Sequence, residues 1–182
     1  MDQDPNTKSL FISETKNKQT KNISYEKEKK MRVETKTWGL TEEELSHGLQ
    51  LTILNGILDE TTEKTKYSAM MVSHIKDKIS GYKQQDILKK KLDEAKFVSY
   101  VNVIRLLKDC SLSCHYCSQP VYLLYERVRE MKQWSLDRID NNIGHNTGNL
   151  LIACLECNLK RRRTNKDAFM FTKNMVITRE GL

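Results

Sequence analysis

Apolar positions along the chain fall into three regimes. Residues 1–37, rich in Lys, Thr, Asn, Ser and Glu, hold no sustained apolar period, so a disordered or weakly helical arm is expected there. From Trp38 a helical period sets in. Thr41 followed by Glu44 has the form of a capping box, and Leu45, Leu49, Ile53, Leu54, Ile57 and Leu58 then recur on one helix face. A second helix is predicted over Tyr67 to Ile79, ending before Gly81. A third is predicted from about Gln84 to Lys108, with Ile87, Leu88, Leu92, Ala95, Val98, Val101, Val103, Ile104 and Leu107 as its apolar stripe. From Cys110 the pattern shortens into an aromatic-rich connector, a strand-like QWSLDRID, a Gly/Asn loop, a second short strand and a basic helix. The expected architecture is α+β: an arm over 1–37, a helical segment over 38–109, a small ββα unit over 110–172 and a tail over 173–182.

Composition narrows the classes. The 182 residues suit one ordinary domain, or a small one with an arm, and 38% hydrophobic with 30% charged residues leaves only a modest core. The longest apolar runs, such as Leu150 to Cys154, fall far short of the roughly 18 residues that span a bilayer. The first apolar residues, Leu10 to Ile12, lie within a lysine-rich polar stretch unlike a signal peptide. A membrane or secreted protein is therefore not expected, and an intracellular, reducing compartment is. The formal charge of +7 is unevenly spread: 9 basic and 6 acidic side chains over 1–37, 9 and 10 over 38–99, and 13 and 8 over 100–182. Basic ends suit a polyanionic partner, although a net charge of this size also serves solubility alone.

The five cysteines carry the first specific chemistry. Cys114 with Cys117 and Cys154 with Cys157 form two C-x-x-C pairs, 36 residues apart, while Cys110 is left over. An odd count without a secretory signal argues against disulfides and for metal. Each pair sets two thiolates on one tight turn, and two such turns complete a tetrahedral, closed Zn²⁺ site, which is structural because no position stays open. So small a unit has little core of its own, and zinc would supply much of its folding energy. His47 and His74, isolated on helical stretches, are expected to be structural.

Between the cysteine pairs run Ser135-Leu136-Asp137-Arg138-Ile139-Asp140, the loop Asn141 to Asn149, and then Cys157-Asn158. This combination resembles the cysteine-flanked form of the HNH endonuclease family, and its L-D-R-I-D variant resembles copies carried by phages and large DNA viruses. The resemblance covers residues 114–163 or so. It implies a zinc-stabilised ββα-metal domain that hydrolyses DNA phosphodiester bonds, with double-stranded DNA as partner. By that resemblance Asp137 and Asn158 would hold a catalytic Mg²⁺ or Mn²⁺, both being hard oxygen donors. Asn149 would pin the loop that orients the base. Lys160, Arg161, Arg162, Arg163 and Lys166 would contact phosphates, which position without reading sequence; a solvated helix end is the plainer reading.

One position departs from the family. Arg138 stands where the family has a histidine that deprotonates water, and a guanidinium is no base. Three readings stay open. His145 in the loop serves as the base; or Asp140 serves, or adds a metal ligand, while Arg138 holds a phosphate; or the chain only binds DNA, as an inactive zinc-dependent module. A zinc-stabilised interaction adaptor would leave the Asp, Asn and basic residues unused. His115 is a weaker base candidate. Trp134, Tyr122 and Tyr125 are expected in the core rather than stacked on bases.

Overall fold

The structure is a computed structural model that describes residues 38–58, 65–127 and 129–175. The arm expected over 1–37, and the tail beyond Met175, lie outside the described residues. The element order is α1 (His47–Leu58), α2 (Lys66–Leu88), α3 (Tyr100–Asp109), β1 (Trp134–Arg138), β2 (Leu150–Cys154), α4 (Leu155–Arg161) and α5 (Lys166–Asn174). The fold class is α+β, as expected, with a two-stranded sheet as its only sheet among the described residues. None of the described helices is long and apolar enough to cross a membrane.

The helical segment differs in detail from its pattern. The capping box forms, with the Glu44 N–H donating to Thr41 Oγ1 and the Thr41 N–H to Glu44 Oε2. It closes a turn, however, and the regular helix begins at His47. The second helix does not stop at Gly81. Its stripe of Met71, Ile75, Ile79 and Tyr82 continues the same buried face to Asp86, and that packing outweighs the roughly 1 kcal/mol cost of an interior glycine. The expected third helix from Gln84 is broken. Residues 84–88 finish α2, leaving Ile87 and Leu88 exposed, and the chain reverses through Lys90 in the left-handed region. The reason is tertiary: Val98 N–H donates to the His145 carbonyl and Thr147 N–H to the Lys96 carbonyl, pairings that a continuous helix would forbid. Ser99 then caps α3 by accepting from the Asn102 N–H.

β1 and β2 pair antiparallel, with Trp134 opposite Cys154 and Arg138 opposite Leu150. The helical segment docks on them from one side. Tyr82 Oη of α2 accepts the Leu136 N–H at 3.0 Å, and Lys78 donates to Gln133 Oε1 and the Trp134 carbonyl. Gln50 of α1 is fully buried with its amide engaged throughout: it donates to the Leu45 and Leu124 carbonyls and accepts from the Leu123 and Leu124 N–H groups. Helical segment and sheet thus share one core, centred on Leu54, Met71, Ile75, Ile104, Leu107, Leu123 and Trp134. Trp134 and Tyr125 are buried, in line with the expected core role.

Candidate metal centre and basic cleft

The thiols of Cys114, Cys117, Cys154 and Cys157 lie within 4.8 Å of one another. Cys117 Sγ and Cys154 Sγ are 3.9 Å apart, close to the roughly 3.8 Å that a tetrahedron with Zn–S bonds near 2.3 Å requires. The second knuckle sits where β2 becomes α4, so Cys154 is also the helix N-cap and its sulfur accepts the Cys157 N–H. Cys154 donating to Cys114 draws the Cys114 thiol well below its usual range and pushes its own up. The residues fit a structural zinc ion by donor type, number and spacing. Lys173, expected in a tail, belongs to α5 and donates to Cys157 Sγ at 3.2 Å, while Phe169 of the same helix meets the Tyr116 ring edge-on. Cys110 stays outside the cluster, half-buried, with burial raising its thiol.

Beside this cluster opens a cleft of about 530 Å³, lined by Asp137, Arg138, His145, Asn158, Arg162 and Arg163, and across it by Tyr82, Gln85, Lys89 and Lys91 of the helical segment. Six of the expected site residues therefore meet there, from β1, the 139–149 loop, α4 and the turn that ends it. Asp137, next to last in β1, is only 4% exposed, its Oδ1 accepting from Arg161 at 2.7 Å and its Oδ2 from Tyr116 at 2.6 Å. Burial first, and then Asp137, hold the Tyr116 hydroxyl far above its ordinary range, so it remains a donor. Asn158 is oriented by its amide nitrogen, which donates to Ser135 Oγ at 3.0 Å; among the described residues no hydrogen bond engages its Oδ1.

Asn149 spans its loop, donating to the Asp140 and Gly144 carbonyls and accepting the Asp140 N–H. These bonds tie the start of the loop at Asp140 to its end. The loop's His145 is buried, and both its ring and its backbone face Asp86 of α2: Nδ1 lies 2.9 Å from Oδ1, and the backbone N–H donates to Oδ2 at 2.6 Å. Burial lowers the His145 pKa, the Asp86 carboxylate opposes that, and Arg138 and Lys89 add to the lowering. Gly144 explains how the loop comes so close. A Cβ there would lie 2.5 Å from the Lys91 carbonyl oxygen and 2.7 Å from Asp86 Oδ2.

Other placements correct the sequence reading. Arg161, expected on phosphate, is fully buried and donates to Asp137 and to the Arg138 and Ile139 carbonyls, because its position on α4 faces β1 rather than solvent. Asp140 does not join Asp137 and His145. It is exposed, accepts the Asn142 N–H in a tight turn and lines a neighbouring depression instead. His115 is exposed and does not line the cleft. Lys160 pairs with Glu156 and Lys166 with Asp167, outside the cleft wall. Arg138 lines the cleft while donating to the Ile143 carbonyl. Sequence reasoning missed Asp86, Lys89 and Lys91. The signal for Asp86 was present: an acid on the stripe that buries Ile79 and Tyr82. Comparison with family models, with curated proteins and with solved structures returns no match.

Proposed function

We propose that this protein is an HNH-type endonuclease that hydrolyses DNA phosphodiester bonds with a divalent metal, built on a zinc-stapled ββα-metal unit. The supporting observation is the meeting of Asp137, Asn158 and His145 on one cleft rimmed by Arg138, Arg162, Arg163, Lys89 and Lys91. Asp137 and Asn158 would hold Mg²⁺ or Mn²⁺. Each Asp137 oxygen keeps a lone pair beyond its single hydrogen bond, and the orientation of Asn158 leaves an amide oxygen for a hard cation. When bound, such an ion would polarise the scissile phosphate and neutralise the leaving oxygen. The chain's own residues do the rest. The cations around the cleft draw in the phosphate backbone, and Asn149 fixes the loop. His145, kept neutral near pH 7 by burial, accepts a proton from water. Contacts from such a cationic rim would go to phosphates and position the double-stranded DNA that the resemblance implies, without reading its sequence.

An inactive DNA-binding module is favoured by one observation, the engagement of both Asp137 oxygens by protein donors. Supercoiled-plasmid cleavage by the zinc-loaded protein separates the two. Nicking that needs Mg²⁺ or Mn²⁺, and that falls at least about 100-fold in Asp137→Ala, Asn158→Ala and His145→Ala, is expected. Salt-sensitive binding to the same plasmid without cleavage in either metal would establish the module instead.

A further inference from the structure

We infer that Asp86, in the helical segment, is the positioning residue for His145, fixing its tautomer so that Nε2 is the atom that takes the proton from water. The inference rests on the nuclease reading and deepens it. A carboxylate only accepts, so its 2.9 Å contact puts the ring proton on Nδ1 and leaves the lone pair on Nε2. The second oxygen takes the backbone N–H of the same residue, so one buried group holds both ring and main chain. Tyr82, one turn earlier on α2, lies against the imidazole with ring centroids 4.6 Å apart and restricts its rotation. Gly144 lets the loop reach this depth.

Packing alone does not account for Asp86. It is fully buried on the stripe that otherwise carries Met71, Ile75, Ile79 and Tyr82, where an apolar side chain would avoid the desolvation of a carboxylate. Besides the His145 pair, its one ion pair given among the described residues is with Arg138, 4.0 Å away at the end of β1. The charged groups around the imidazole are thus Asp86 from α2, Lys89 at its C-cap and Arg138 from β1. In the reaction a water O–H bond breaks, its proton passes to Nε2, and the oxygen bonds phosphorus as the P–O3′ bond breaks. The leaving oxygen is protonated from solvent, and the imidazolium, stabilised meanwhile by Asp86, returns its proton to water. The helical segment therefore completes the site rather than merely bracing it.

The test compares full-length wild type with Asp86→Asn, which keeps the shape and removes the charge. Plasmid cleavage by Asp86→Asn is expected to have kcat reduced about 100-fold, within the span a positioned base contributes, with KM nearly unchanged. The acid limb of its pH–rate profile should move to lower pH, because the carboxylate favours the imidazolium. A bracing role would lower stability without moving that limb. Wild-type cleavage matched by Asp86→Asn in kcat and profile overturns the inference and leaves the nuclease reading standing. No cleavage by wild type ends both. If Asp86→Asn does not fold, ring ¹⁵N shifts of His145 in the wild type decide: an Nδ1–H tautomer supports the inference, and an Nε2–H tautomer overturns it.

Discussion

Four consecutive basic residues, Lys160 to Arg163, look alike in the sequence, yet the structure gives them opposite work, and Arg161→Met tests that division. The substitution keeps most of the aliphatic stem and removes the guanidinium. Asp137 then loses the donor on Oδ1 and keeps only Tyr116, while the Arg138 and Ile139 carbonyls each lose a donor. Both charges of the pair are almost wholly buried, so solvent screening does not soften the loss. Breaking one side of such a buried pair costs about 3–5 kcal/mol. At about 2–4 °C per kcal/mol for a chain of this size, the melting midpoint should fall by roughly 6–20 °C. Arg163→Ala, at an exposed residue of the cleft, should change stability by less than about 0.5 kcal/mol. It should instead flatten the salt dependence of DNA binding, by about 0.9 in log–log slope for one lost phosphate contact. Thermal melts by circular dichroism and binding isotherms between low and physiological salt measure both quantities. A double variant, Arg161→Met with Asp137→Leu, should recover much of the loss, since no buried charge is left unpaired. A wild-type melt for Arg161→Met, together with a salt slope reduced as much as by Arg163→Ala, would put the guanidinium on phosphate and refute the argument.

Zinc should be present at about one ion per chain, and its removal by a chelator, or Cys157→Ala, should abolish the cooperative melt, because the knuckles close both ends of the sheet unit; a cooperative melt in metal-free protein, followed by circular dichroism with the metal content measured, would count against this. His145 is held below the ordinary histidine value of about 6.5 mainly by burial, so the unfolded chain binds its proton first as pH falls. Stability is therefore full above about pH 6.5 and declines as pH drops from there through the folded value, a decline that His145→Gln should reduce in melts taken between pH 5 and 8. Gly144→Ala should cost about 1–3 kcal/mol by overpacking and depress cleavage with it, since the added methyl meets the Lys91 carbonyl and the Asp86 carboxylate. An alanine variant that melts and cleaves like wild type would show that the loop stands off from α2.

The cysteine pairs, the two strands and the short helix between Trp134 and Arg161 could be read from the chain because their signals are local. A C-x-x-C turn, a period of two and a capping residue each specify geometry over a few residues. Asp137, Asn158 and His145 stand out through a resemblance rather than a local signal, and they line one cleft. Tertiary contacts decided the rest. Period alone joined residues 84–108 into one helix, whereas backbone bonds from 96–98 to the 145–147 loop split them. Charge alone set Arg161 beside Arg162 and Arg163. The rotation of a single helical position turned it inward to Asp137, while Arg162, in the left-handed region with φ 53, ended the helix and lines the cleft together with Arg163. Asp86 meets His145 across 59 positions of sequence, and no pattern within a helix specifies a partner at that separation. Side-chain type and local spacing are properties of the chain. Which buried groups face one another is fixed only when the helical segment packs on the sheet.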